Sequence, residues 1–386
     1  MAGLADRGFA RRAGPRVWPL YVGGFLGPYG STMVTPMVHE VAAGLRGSVT
    51  AVAAAVTVYM VPFAVLLLVS GTLAERWGRR RTVRVSLVVF VLVSVLCAAA
   101  PSIEVFLVAR ALQGASNAFT TPLLVASIID LVPAQRRGRA LGWFAAMQAA
   151  GQGFSPLITG LSASWNWRLA FAFPTLVAIV LVLFPPDAAA AARRAEGAVP
   201  WRVLLNRRLG LAAALSFLSY LGAVGLTVLV VLRTQDDFGF GPVQRGLVSA
   251  AFGVAGVAAA GPLGRWAERT GPRSLGLVMN TLLAAGVLTA ALAPDPLLVV
   301  AGVVAAGGAV TGIRTIVNEL SATSAPANRG GAASLALSAQ FFGGALAPVL
   351  WVPLYHADAR WGFAAAASAP LAALLVLLTA RTLRPR

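Results

Sequence analysis

Residues 71–80 read GTLAERWGRR, and residues 264–273 read GRWAERTGPR. Gly71, Glu75, Arg76 and Gly78 recur as Gly264, Glu268, Arg269 and Gly271, an offset of 193 residues in a chain of 386. The same offset sets Arg80 on Arg273 and PAQR at 133–136 on PANR at 326–329. An offset of 192 pairs Gln148 with Gln340, Gly151 with Gly343 and Pro156 with Pro348. Identities this regular predict a chain made of two related halves.

Composition says what the halves sit in. The chain is 58% hydrophobic and only 11% charged, against about 25% charged in a soluble domain. Its mean hydropathy is +0.79. So much apolar surface exceeds what one water-soluble core can hide, and the chain reads as an integral membrane protein in contact with the lipid bilayer. Cys97, the single cysteine, lies in the apolar run VLVSVLCAAA and reads as a small buried hydrophobe. The basic start, MAGLADRGFARRAGPRVW, leads into an apolar run too long for a signal-peptide core, so a retained first helix is expected.

About 20 apolar residues cross roughly 30 Å of hydrocarbon. Windows of that length fall at 17–38, 50–74, 82–100, 104–129, 139–161, 168–185, 209–233, 244–266, 273–293, 297–320, 331–353 and 361–381. The expected fold is therefore an all-α membrane protein of twelve transmembrane helices in two pseudo-symmetric six-helix bundles. The halves would be residues 1–185 and 209–386, joined by a cytoplasmic linker at 186–208 that is alanine-rich, charged and bounded by prolines.

The net charge of +18 invites a nucleic-acid reading, but its placement argues against one. All 31 basic residues are arginine. With the N-terminus inside, 24 fall in inside segments, five (Arg46, Arg168, Arg233, Arg245, Arg360) in outside loops, and Arg110 and Arg314 within helices. That asymmetry is the positive-inside pattern and predicts both termini cytoplasmic. No nucleotide-binding G-x-x-x-x-G-K-[ST] run, metal-ligand cluster or nucleophile constellation is present. No cofactor is expected.

Here the chain resembles the major facilitator superfamily. GTLAERWGRRR is similar to that family's loop signature between helices 2 and 3, with Glu75 where an aspartate is usual. FLVARALQGASNAF at 106–119 resembles its helix 4 signature R-x-x-Q-G. DLVPAQRRGRALG at 130–142 and WNWRLAF at 165–171 look like the segments that follow, and FGFGPVQRGL at 238–247 like its entry to helix 8. GQGFSPLITG at 151–160 is similar to the helix 5 motif of the drug/proton antiporter (efflux) branch, with Ser155 and Thr159 where two glycines are usual. The resemblance implies a monomeric secondary transporter of the bacterial inner membrane, not an enzyme. It would export a small amphipathic molecule, a drug or secondary metabolite, by alternating access, with protons as the coupling ion. A proton-independent facilitator, or an importer of a sugar or other metabolite, is the alternative.

The resemblance also implies a conformational latch at the cytoplasmic end. Glu75 would hold the N-terminus of helix 11, while Arg76, Arg79 or Arg80 pairs with Asp130 on helix 4. Glu268 and Arg269 would repeat the latch in the second half, and Gly71, Gly78, Gly264 and Gly271 would supply tight turns and close helix approach. For coupling or substrate contact the candidates are Arg110, Gln113, Asn117, Gln148, Gln152, Arg314, Gln340 and Tyr29. Arg110 either snorkels outward or faces a cavity. Arg314 either pairs with Glu319 five residues on, joins a latch or meets substrate. Gln148, Gln152, Ser155 and Thr159 form one polar stripe on helix 5, suited to an aqueous cavity or to interhelical hydrogen bonds. No Asp or Glu falls in the middle third of any predicted helix; Glu40, Asp130 and Glu319 lie near ends, and His39 and His356 read as interfacial.

Overall fold

The computed structural model describes residues 17–185, 201–325 and 329–380; at some helical positions, Glu75, Gly264 and Glu268 among them, only the backbone is described. The latch roles expected of those three residues, and most of the linker expected at 186–208, lie outside what is described.

Among the described residues the secondary structure is helical throughout. The first crossing is bent: α1 (Trp18–Thr32) carries Pro28, a 3-10 turn at Thr35–Met37 follows, and α2 (Val38–Leu45) completes it. α3 (Val49–Trp77) and α4 (Arg79–Ala99) are the second and third crossings. The fourth is broken between α5 (Ile103–Ala118) and α6 (Thr121–Leu131). α7 (Ala134–Ala163) is the fifth, and a 3-10 turn at Trp167–Phe171 leads into α8 (Ala172–Leu183), the sixth. The second half holds α9 (Arg207–Asp236), α10 (Pro242–Leu292), α11 (Pro296–Ser324), α12 (Arg329–Ala357) and α13 (Ala359–Thr379). α10 is two crossings joined at Gly271, whose φ/ψ of 76°/165° is not helical. Twelve crossings result, as the apolar windows predict. Eight helical segments are long and apolar enough to span a bilayer without a break. The other four crossings are broken by 3-10 turns and prolines, or carry the arginines and glutamines of α7.

Polar residues at the turns start the helices. Ser48, Ser102, Asn206, Asp295 and Asp358 each accept a backbone N–H of the first turn, satisfying a donor that lipid cannot.

The two halves repeat the same packing. α3 lies on α5, α1 on α7 and α4 on α8; in the second half α10 lies on α11, α9 on α12 and α10 on α13. Glycines set the spacing in both. A Cβ on Gly114 would strike the backbone of Tyr59, and one on Gly307 that of Phe252. These two pairs are related by the 193-residue offset. A Cβ on Gly151 would strike the backbone of Phe25, and one on Gly343 that of Phe217, at the 192-residue offset. The duplication therefore extends to individual backbone contacts between helices. The halves meet through α3 against α12 and α7 against α10.

The repeated charged stretch has a simpler local cause than close packing. A Cβ added at Gly71, Gly78 or Gly271 would meet nothing within 4 Å, so the expected close helix approach does not occur at these three. Gly78 and Gly271 are needed for backbone conformation instead, with φ of +87° and +76°. Each breaks the chain between two crossings so that it reverses at once. Gly78→Ala should lower stability by about 1–3 kcal/mol, the usual cost of a side chain in such a conformation. Gly71→Ala, at a helical position in open space, should leave stability unchanged or raise it. Thermal denaturation of the two variants in detergent checks this; equal losses would contradict it.

Candidate functional site

A cavity of about 520 Å³ lies between the halves. Its wall comes from six crossings or more, and includes Thr32, Phe63, Gln148 and Gln152 of the first half and Tyr220, Ser249, Arg314, Asn318, Gln340 and Phe341 of the second. It reaches Leu67 in the second half of α3, Ala126 midway along α6 and Ala333 in the first two turns of α12. The cavity thus extends toward the arginine-rich end that carries residues 71–80.

The opposite end is shut. Arg245, at the start of α10, is fully buried and pairs with Glu40 of α2. Its other guanidinium nitrogen donates to Nδ1 of His39 at 2.6 Å. This network joins the two halves. Beside it α7 and α10 touch backbone to backbone. A Cβ on Gly160 would strike the carbonyl of Pro242, one on Gly246 the carbonyl of Pro156, and one on Gly253 the backbone of Gly153. Only glycine allows such an approach, which maximises dispersion contact where lipid supplies no hydrophobic drive.

Of the expected cavity side chains, Gln148, Gln152, Arg314 and Gln340 do line it. Arg110, Gln113, Asn117 and Tyr29 do not; they are buried within the first half. Arg110 neither snorkels nor faces the cavity. It donates to the Gly30 carbonyl at 2.7 Å and to the Gln113 side chain, and its guanidinium lies 4.4 Å from the Tyr59 ring centre. Gln113 donates onward to Ser94 at 2.8 Å. Asn117 donates to the Tyr59 hydroxyl at 2.8 Å, and that hydroxyl to the Gly27 carbonyl at 3.3 Å. The cause is Gly114, which lets α5 close onto α3 and encloses the arginine between them. Tyr29 is held by its hydroxyl on the Ala170 carbonyl, 3.4 Å away.

The helix 5 stripe divides. Gln148 and Gln152 face the cavity, whereas Ser155 donates to the Tyr29 carbonyl at 2.9 Å and Thr159 to its own helix. Arg314 does not pair with Glu319, which is exposed. It donates to the Tyr220 hydroxyl and, at 3.4 Å, to Gln152 across the cavity. At the arginine-rich end Arg79 pairs with Asp130, tying α4 to α6 within the first half; Arg76, Arg80 and Arg269 are exposed.

Sequence reasoning missed Arg245, read there only as an outside-loop charge, and Tyr220 and the Phe63–Phe341 ring pair. Glu40 and Arg245 offered a signal: opposite charges at equivalent depths on the first and eighth crossings. The aromatic residues offered none among so many apolar neighbours.

The Major Facilitator Superfamily model matches residues 20–241 and again 212–386, the second match falling on the second half. The chain belongs to this superfamily. Its fold is similar to that of a bacterial homolog of the human lysosomal transporter Spinster in an inward-facing and occupied conformation. The TM-score is 0.76 at 15% identity, over 95% of this chain and 96% of that one. The MFS antiporter QDR3 of Candida albicans is 32% identical over 143 residues, 37% of this chain and 20% of that protein. The putative multidrug resistance protein MdtD of Escherichia coli is 28% identical over 184 residues, 46% and 39% of the two chains. The chain therefore spans well under half the length of these curated relatives.

The closing network makes a testable demand. Glu40→Gln removes the charge facing a buried guanidinium and should loosen the shut end. In a Cys97→Ser background, a cysteine at Thr35 should then react about tenfold faster with a membrane-impermeant maleimide added from that side, a weakening of about 1.4 kcal/mol. An unchanged rate would show that the glycine contacts alone hold the end closed.

Proposed function

We propose that this transporter exports a small amphipathic organic molecule by alternating access, in exchange for protons. The observation that carries the reading is the shape and lining of the cavity. It is closed at one end by contacts between the halves, extends toward the other, and is lined by apolar and aromatic side chains with scattered amides. Such a wall accepts a molecule that is mostly apolar with a few polar groups. The arginine bias of alternate loops supports a cytoplasmic placement of both termini and of the end toward which the cavity extends. The described conformation is then the one that loads from the cytoplasm. Names of relatives in the antiporter and multidrug-resistance classes support the same direction.

The proposed latch fits this cycle. The Arg79–Asp130 pair keeps the cytoplasmic end of the first half as one unit, and the repeat of the motif in the second half gives that unit a counterpart. Two conformations differing by a few kcal/mol suffice for the exchange.

One observation favours the second reading, a proton-independent facilitator. Among the described residues lining the cavity there is no Asp or Glu, and a titrating cavity carboxylate is the usual carrier of the coupled proton. Proteoliposomes distinguish the readings. With a panel of cationic, neutral and anionic fluorescent amphiphiles, antiport predicts uphill movement of at least one probe on imposing a pH gradient, lost when the gradient is collapsed. Movement indifferent to the gradient establishes the facilitator. Protein-dependent movement of no probe would contradict both.

A further inference from the structure

The cavity contains a cation in search of a counterion. Arg314 is the one charged side chain in the wall among the described residues. It lies ten residues from the end of α11, roughly 15 Å along the helix, well inside the membrane. A charge at such depth costs at least ~2.5 kcal/mol to insert, so an arginine there calls for compensation. Protein supplies little of it. One nitrogen, Nη2, donates to Tyr220 and Gln152, both neutral. Its guanidinium also lies 5.8 Å from the Tyr220 ring centre; Nη1 makes no hydrogen bond with a described residue, and no described carboxylate forms an ion pair with it. The contrast with the other two enclosed arginines is informative. Arg245 has Glu40, and Arg110 has the Gly30 carbonyl, the Gln113 amide and the Tyr59 ring. Nε lacks a partner in all three, and Arg110 has only neutral partners, as Arg314 does; what sets Arg314 apart is that it alone of the three lines the cavity. The Arg314 site opens onto empty volume.

We infer that the transported molecule is an amphipathic organic monoanion, its carboxylate held by Arg314 and its apolar body against the Phe63–Phe341 pair. This rests on the transporter reading and names its substrate class. A guanidinium binds a carboxylate through parallel N–H donors, with hydrogen bonds about twice as strong as neutral ones. The Ser249 hydroxyl, buried in the same wall and without a hydrogen-bond partner, adds a neutral donor. The rings of Phe63 and Phe341 lie 4.4 Å apart, centre to centre, one from each half, so an apolar group resting on them touches both bundles. One cation balances one negative charge. A cationic amphiphile would add a second positive charge to a low-dielectric space that holds no anion. A dianion would leave one charge over.

The test compares three probes of one shape: 1-pyrenebutyrate, its primary amide, and the corresponding primary amine. Binding is measured by fluorescence to the full chain in lipid nanodiscs, with empty nanodiscs subtracted. The carboxylate should bind at least about tenfold more tightly than the amide, and the amine more weakly than either. Arg314→Gln should abolish the carboxylate preference over the amide; Arg314→Lys should keep the preference in part, because the charge remains but the fork does not. Equal binding of carboxylate and amide, or tightest binding of the amine, overturns the inference. So does a preference that survives Arg314→Gln, since it would then come from the arginines of the surface. Should Arg314→Gln fail to fold, the wild-type ranking of the three probes decides. Protein-dependent transport of the amide or amine alone would overturn the anion assignment and leave the transporter reading standing.

Discussion

The backbone contact between α7 and α10 is the constraint on which the rest of the structure depends. Gly153 and Gly160 on one helix, Gly246 and Gly253 on the other, stand seven residues apart and meet in opposite order. No side chain separates the helices there. α3 against α12 makes a second line of contact between the halves. The cavity is the space left between these two seams. Lipid gives apolar side chains no reason to prefer one another, so the seal depends on close dispersion contact. Contacts of that kind are gained or lost as a unit, which suits an end that must alternately shut and part.

Charge is placed around this seal according to what each group can be given as a partner. Arg245 is enclosed at the shut end because Glu40 and His39 arrive from the other half. Arg110 is enclosed inside the first half because Gly114 brings α3 within reach and Tyr59 offers a ring face. Arg314 has the Tyr220 hydroxyl and ring and the Gln152 side chain, all neutral, and faces the cavity. Three arginines of the same chemistry thus stand in an ion pair between the halves, in a tie within one half and in the cavity wall. Their neighbours make the difference.

The number of crossings, their order and the duplication were legible from composition, window length and the 192–193 offsets. Those signals are carried by many residues at once, so no single substitution hides them. The breaks at Pro36 and near Thr120, and the fusion of two crossings across Gly271, were not legible, because a hydropathy window averages over them. Gln148, Gln152 and Gln340 line the cavity, as an amide on an apolar helix needs a polar surface. Arg110, Gln113, Asn117 and Tyr29 do not line it, because a polar surface can be supplied by other protein groups as well as by a cavity. Of the two reasons expected for Gly78 and Gly271, tight turns and close helix approach, the backbone shows the turn: their φ, and not their size, is what recurs.

Distances across the two ends test the alternating-access account most directly. Spin labels at Thr50 and Gln235 report on the shut end, and labels at Arg80 and Arg269 on the arginine-rich end. Pulsed electron paramagnetic resonance on both pairs, with and without a transported amphiphile, gives the two distributions under the same conditions. The account predicts opposite movement: a second population with the first pair farther apart and the second pair closer together. Distributions that stay single and unchanged, or both widen together, would contradict it.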